Sequence, residues 1–410
     1  MLPIPRGRIS HTISDEVRWL LKAATSTLTD TAKVTDAEKS FATYVGRAHC
    51  VVFPYARTAI WSILKSLDLP VGSKVLLPPL TIKPILDVVI HLGLDPIFVD
   101  IDQYSACFDE TCLVKALEER PSVAILTYLF GRIPDVERLT SLLRSRNVFI
   151  IEDFSQCLNG EFDGKKIGTY GDVSVYSASS IKTFDTFGGG FALTDSDEVA
   201  QILRRYEADL IEPSRKLLLK TILRNLGRNL ASSRVVFSTV TFWLLQIFAV
   251  WNVSSIGKFT GRRSQEPLGS LPSEWFVRYS SIQAMVALHE LPRVTSRDQM
   301  RISKVDLLRS LLNFKNELEE DSRRHHIYWQ YVIVVKNFKD ARRNLAHYGI
   351  DCATTSLVLL TNLPKYPNQK PTPVATRLYT SGVYLPCFHQ LRESEVRRIA
   401  KAFNRIGDDR

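Results

Sequence analysis

From Phe41 to Thr194, short apolar runs alternate with amphipathic stretches, and this alternation constrains the fold more than any other feature of the chain. Residues 74–77, 95–99, 122–127 and 148–151 read as buried strands of a mostly parallel sheet. Residues 59–67 and 135–146 carry helical spacing, and residues 174–176 and 190–193 add two further short strands. Strand–helix alternation of this kind predicts an α/β domain whose ligands gather where strands end and loops begin. After about Leu291 the pattern changes to a long helix over residues 297–320, a strand over 328–335, a helix over 338–348, a strand over 383–385 and a last helix over 393–403. The expected organisation is a large domain over residues 1–290 and a small C-terminal α+β domain over residues 291–410.

Bulk properties narrow the class. The chain has 410 residues, 45% of them apolar and 23% charged, which is the balance of a folded globular protein. Six cysteines are scattered without a CxxC pair, which fits a reduced, cytoplasmic chain better than a disulfide framework or a zinc site. Residues 1–10 contain no apolar run of the export type. The net charge of +10 is local: residues 203–263 hold 11 Lys/Arg against 3 Asp/Glu, leaving the rest of the chain nearly balanced.

Three short pieces carry chemistry. The first is the apolar strand Phe149-Ile150-Ile151 ending in Glu152-Asp153, with Gln156 three residues on. The second is Ser174-Val175-Tyr176-Ser177-Ala178-Ser179-Ser180-Ile181-Lys182, a strand that delivers a Ser-rich turn and then a lysine. The third is Gly188-Gly189-Gly190, where backbone amides can approach a ligand closely. A lysine in such a turn, behind a strand-end carboxylate, suits Schiff-base chemistry, because partial burial lowers the amine pKa toward the neutral, nucleophilic form. Asp153 could hold a pyridine nitrogen protonated, and Ser177 with nearby N–H groups could hold a phosphate. Taken singly, each piece also reads as an ordinary surface lysine, turn-forming aspartate or glycine loop.

The order and spacing of these pieces resemble the fold-type I pyridoxal-phosphate sugar aminotransferases of the DegT/StrS family. The resemblance runs through Phe41-Ala42-Thr43-Tyr44-Val45-Gly46, Gly93-Leu94-Asp95-Pro96, Gly131, Glu152-Asp153 with Gln156, Gly168 with Gly171-Asp172, Ser177 with Lys182, and Leu385-Pro386. It implies pyridoxal 5'-phosphate as cofactor, with Lys182 as the catalytic residue that carries it and moves the proton between cofactor and substrate carbons. It further implies Asp153 at the pyridine nitrogen, Gln156 at the ring's oxygen side, and Ser177 and Thr58 at the phosphate. No metal is implied. L-glutamate is the implied amino donor, a nucleotide- or lipid-linked keto-sugar the acceptor, and a homodimer the assembly. The chain departs from the family pattern in four places. Ala56-Arg57-Thr58 replaces Ser-Gly-Thr, which makes Arg57 either a phosphate ligand or a solvent-facing residue. Ile82 stands where an aromatic ring is usual, Phe276 where an asparagine is usual, and Thr354-Thr355 where His-Tyr is usual.

The basic segment is a separate feature. Over residues 215–269, Lys216, Lys220, Arg224 and Arg228 recur every four residues along one helix face, while Leu218, Leu219, Ile222, Leu223, Leu226 and Leu230 fill the other side. Residues 235–251 then run for 17 positions without a charge, and Lys258, Arg262 and Arg263 follow. As a helix that run is about 26 Å long, short of the roughly 30 Å hydrocarbon core. Three readings follow: contact of residues 215–263 with an anionic membrane surface, burial as a hairpin at a dimer interface, or a marginal span. The first would make the enzyme peripheral at the cytoplasmic membrane face. A nucleic-acid partner is not expected, because the cations are interleaved with leucine rather than with base-stacking aromatics.

The leading function is amino transfer to a keto-sugar in glycan or cell-surface biosynthesis. Alternatives are a non-transaminating pyridoxal-phosphate enzyme such as a sugar dehydratase, against which retention of Lys182 argues, and a cofactor-free membrane-associated scaffold of the same fold.

Overall fold

Apolar runs of four or five residues build a seven-stranded central sheet: β1 (His49–Phe53), β2 (Lys74–Leu77), β3 (Asp95–Phe98), β4 (Val123–Thr127), β5 (Phe149–Asp153), β6 (Val173–Ser177) and β7 (Gly190–Thr194). The computed structural model describes residues 2–250, 269–313, 321–363 and 370–407. The strand order is β1-β7-β6-β5-β4-β2-β3. β3, β2, β4, β5 and β6 run parallel, whereas β7 is antiparallel to both of its neighbours. Helices must therefore cover both faces, and two apolar cores flank the sheet, one around Phe41, Leu126 and Phe154 and the other around Ile60, Val75 and Val175. Each strand expected in this half is present within two residues of its predicted ends. β1 is an addition: its apolar run is too short for spacing alone to separate from the preceding helix.

A third core lies in the C-terminal part. There β8 (Tyr331–Val334) pairs antiparallel with β9 (Gly382–Leu385), under helices that contribute Val305, Leu345, Ile399 and Phe403. Ile4 joins this core and bridges to Ile350, while Arg6 grips Asp351 at 2.7 Å, so the N-terminal residues pack on the C-terminal part. The helix expected over residues 297–320 is Val294–Leu311, and residues 314–320 lie outside the described residues. The strand expected from residue 328 begins at Tyr331, because Tyr328 has a φ of +49°, which a strand does not accept.

Three helices on the outside of the large part matter below. α1 (Ile13–Thr25) starts on a Thr12 cap that accepts the Asp15 amide. α2 (Arg215–Ser232) packs on α1 and is followed, after a bend of 58°, by α3, which runs as Arg234–Val236, a π-turn Phe237–Thr241 and Phe242–Val250. No single helix among the described residues is long and apolar enough to cross a membrane. Lys258, Arg262 and Arg263 lie outside the described residues.

Candidate active site

The sheet delivers its functional side chains at the C-terminal ends of neighbouring parallel strands. Asp153 is the last residue of β5 and stands in register with Thr127 and Val175 of the strands on either side. It is 7% exposed, and its carboxylate accepts the Ser155 amide at 3.1 Å. Ser155 in turn accepts the Ser177 amide on its hydroxyl at 3.0 Å, which ties the end of β5 to the end of β6. Burial pushes the Asp153 carboxyl up, against hydrogen bonds from Ser155 and the charge of Lys182. A buried acid in this state favours any cation that meets it.

Lys182 sits in a loop that the chain closes on itself. The Ala178 amide donates to the Gly189 carbonyl at 2.9 Å and the Thr186 amide donates to the Ala178 carbonyl at 2.9 Å, so residues 178–189 form a compact bulge beyond β6. Within it the Lys182 amine lies 4.0 Å from the ring centroid of Trp329, whose indole N–H donates to the Ile181 carbonyl at 3.2 Å. Burial lowers the Lys182 pKa to about 8, with the Asp153 charge opposing the shift. At neutral pH a fraction of the amine is thus already unprotonated, the form that attacks a carbonyl. Ile181 has a φ of +75°, costly for a β-branched residue, and it persists because the loop is held on both sides.

The holding contacts come from positions that periodicity did not flag. Arg301, on the helix Val294–Leu311, donates to the Thr183 hydroxyl at 2.8 Å and pairs with Asp298. Behind the loop, the buried Asp185 carboxylate accepts the Phe187 amide at 2.8 Å and the Asn225 side-chain amide at 3.2 Å. Asn225 and Asn229 of α2 also donate to Glu16 of α1 at 2.8 and 3.0 Å, and His11 meets the Asp185 carbonyl at 2.9 Å. The buried face of α2 therefore carries two asparagines beside Leu218 and Ile222, while Leu223 and Leu230 are exposed. The signal available in the sequence was the four-residue spacing of those asparagines.

On the other side of β6 stands the start of the helix Ala56–Ser66, whose N-cap Tyr55 offers no side-chain cap. Such an uncapped first turn attracts an anionic ligand group. The glycine run serves this junction: the Gly189 amide donates to the Pro54 carbonyl at 2.8 Å, and a Cβ on Gly190 would lie 2.2 Å from the carbonyl carbon of Tyr55. The close approach expected of the glycines is thus made by protein backbone. Arg57 places its guanidinium 4.1 Å from the Tyr55 ring and 4.5 Å from the Trp275 ring, and the Thr58 hydroxyl donates to the Trp275 carbonyl at 2.6 Å. In this structure both side chains fasten the helix start to Trp275. The Ser177 hydroxyl lies 3.1 Å from that of Ser179.

Gln156 accepts the Phe130 amide on its side-chain oxygen at 2.6 Å, which leaves its NH₂ to face elsewhere. Phe130 and Gly131 both have positive φ, and a Cβ on Gly131 would come within 2.7 Å of the Trp329 nitrogen. That turn wedges Gln156 and Trp329 into place. Of the departures from the family pattern, Ile82 is 42% exposed, and Phe276 packs edge-on against Trp61 of its own protomer at 5.0 Å. The donor set brought together (a buried carboxylate, an amine of lowered pKa, strand-end serines and an uncapped helix start) fits a ligand with a basic ring nitrogen, a carbonyl and a phosphate.

The comparisons agree with this geometry. The model of the DegT/DnrJ/EryC1/StrS aminotransferase family matches residues 8–242 and 255–404. The chain is 28% identical over 172 residues to the spore coat polysaccharide biosynthesis protein SpsC of Bacillus subtilis (strain 168), covering 42% of this chain and 44% of that protein. The match thus spans less than half the length of that relative. GDP-perosamine synthase of Escherichia coli O157:H7 is 22% identical over 86% of this chain and 84% of that protein. Among solved structures, the sugar aminotransferase CalS13 from Micromonospora echinospora superposes with a TM-score of 0.74 at 19% identity, over 99% of this chain and all of that one.

Proposed function

Because the chain belongs to the DegT/DnrJ/EryC1/StrS aminotransferase family, we propose that it is a pyridoxal-phosphate aminotransferase that moves an amino group, from L-glutamate, to a nucleotide- or lipid-linked keto-sugar. The observation that carries this reading is the pairing of a buried strand-end carboxylate, Asp153, with an amine, Lys182, whose pKa burial lowers to about 8. When bound, the cofactor supplies a carbonyl carbon that an amine can capture and a ring that withdraws electrons.

The chain's own residues then have distinct tasks. Asp153 holds a proton on the ring nitrogen through its negative charge, and the ion pair relieves the cost of burying that charge. Lys182 would hold the cofactor, and as an amine tuned near the working pH it would take and return a proton. Ser177 and the first-turn amides after Tyr55 bind the phosphate. Gln156 offers its NH₂ to the ring oxygen, and Trp329 excludes water from the amine. Arg57 and Thr58, fixed to Trp275, keep the phosphate-binding turn in place. The working assembly is a homodimer. Six free cysteines support a reducing, cytoplasmic compartment.

The test is optical. Purified protein mixed with pyridoxal 5'-phosphate should gain an absorption band near the visible that borohydride bleaches, and Lys182→Ala should not gain it. Glutamate should then remove the band and release 2-oxoglutarate. A band that glutamate leaves unchanged points to non-transaminating chemistry, and no band at all points to a scaffold.

A further inference from the structure

Residues 213–265 contain no Asp or Glu, and the two described helices within that stretch expose complementary halves of one chemical pattern. On α2, Lys216, Lys220, Arg224 and Arg228 are all exposed, and none forms an ion pair with any described residue. Partial burial, together with crowding between Arg224 and Arg228, lowers the Arg228 pKa. On α3 the outward face is apolar: Val240, Trp243, Leu244, Ile247 and Phe248 are all more than 40% exposed, while Phe237 and Phe242 point inward. Helix faces in water normally show the reverse arrangement, so this one is built for a partner.

We propose that α2 and α3 form a docking surface for an anionic lipid bilayer. Among the described residues no single helix is long and apolar enough to cross: α3 is about 26 Å long over its described 17 residues, against a hydrocarbon core of roughly 30 Å, and α2 meets it at a bend of 58°. A short apolar helix beside a cationic one instead lies in the plane of the interface, with apolar side chains at the acyl boundary and cations at the headgroups. A second copy is the other candidate occupant, and charge decides against it. A two-fold interface through this face pairs the patch with its own copy, so it brings together the cations of both α2 helices. Such a contact gathers the four α2 cations of each copy, while the carboxylates of the adjoining α1, Asp15 and Glu16, are buried and Glu395 already pairs with Arg234. Anionic headgroups supply the missing counter-charge. On α1, which packs against α2, Val17, Arg18 and Leu21 are exposed as well.

Flotation of the full-length protein with vesicles tests this surface without any substrate, so its outcome is separate from that of the aminotransferase reading. Vesicles with about 30% phosphatidylglycerol should carry the protein up, phosphatidylcholine alone should bind it at least roughly tenfold more weakly, and about 0.5 M salt should weaken the anionic binding. The variant K216Q/K220Q/R224Q/R228Q should lose on the order of a hundredfold in affinity while keeping its far-ultraviolet circular dichroism and melting temperature. Brominated acyl chains should quench Trp243, and the quenching should fall in Trp243→Phe. Absence of flotation with anionic vesicles overturns the proposal, as does equal binding to neutral ones. A W243S/I247S variant that splits a dimer in sedimentation while floating like the parent also overturns it, and hands the face to a second copy.

Discussion

The Lys182 amine rests 4.0 Å from the ring centroid of Trp329, a residue 147 positions away in the chain that also donates its indole N–H to the carbonyl just before that lysine. One side chain thus contacts both the amine of Lys182 and the backbone just before it. Burial lowers the pKa of this amine to about 8, the indole lies against it, and removing the indole opens that side to water. In Trp329→Ala the pKa of Lys182 should rise toward the ordinary lysine value. The rate at which the protein captures pyridoxal 5'-phosphate, followed by absorbance against pH, should then shift its midpoint upward by about one unit. Trp329→Phe should hold the midpoint near the parent. An unmoved midpoint in the alanine variant would assign the lowered pKa to other neighbours.

In the role proposed for it, Asp153 sets function against stability. Its carboxyl is raised by burial, so the group binds its proton more tightly in the folded chain than in the unfolded one. Such a group contributes stability below the unfolded pKa and loses it as pH rises through the folded value. At neutral pH, with no ligand cation, Asp153→Asn should therefore leave the melting temperature unchanged or raise it. On the role proposed for Asp153, amino transfer should fall by at least about a hundredfold, because a neutral amide would not hold a proton on the cofactor's ring nitrogen. Thermal melts and single-turnover rates on the same preparations check both halves.

Part of this was legible from strand ends, while the roles of the residues came from the resemblance to the family. Asp153, Ser177 and Lys182 fall within 30 residues, and their grouping follows from two adjacent parallel strands ending on the same edge, which apolar runs and turn residues reveal. Trp329, Arg301 and the Asn225–Glu16–Asp185 cluster were not legible, because each joins segments that only the tertiary fold brings together. A single polar residue carries no sign of its distant partner. The glycine run was legible as a place of close approach, but not what approaches it. The exposed face of α3 stayed open for a related reason: apolar sequence indicates that burial is available, without saying whether protein or another phase provides it.

The buried cluster that joins α1, α2 and the Lys182 loop predicts a pH-dependent stability. Burial is the first cause that raises both Glu16 and Asp185, and a neighbouring acid raises each further, Asp185 for Glu16 and Glu290 for Asp185. By the same sign rule, their contribution is largest in mild acid and declines as pH rises through their folded values. Asn225→Leu removes two amide donors from these acids and should cost about 1–3 kcal/mol. The loss should be larger at pH 8 than at pH 5, since the unpaired groups are then more fully charged. Urea melts at the two pH values measure this. An equal loss at both would mean that packing, and not the carboxylates, sets the cost.

Two glycines offer a final contrast between backbone crowding and helix propensity. Gly227 lies in α2, and a Cβ added there would meet no atom within 4 Å, so Gly227→Ala should stabilise by up to about 1 kcal/mol. Gly190 opens β7 against the start of the helix Ala56–Ser66, where the added carbon would lie 2.2 Å from the Tyr55 carbonyl carbon and 2.3 Å from the Ala56 nitrogen. Neither atom belongs to a side chain that can swing away, so Gly190→Ala must push the strand from the helix. The expected cost is about 3 kcal/mol or more, with a loss of the phosphate binding proposed for this turn, since the displaced atoms belong to it. Chemical denaturation of both variants, together with titration by inorganic phosphate, separates the cases. A Gly190→Ala protein that melts and binds phosphate like the parent would show that the strand and helix start are not held in contact.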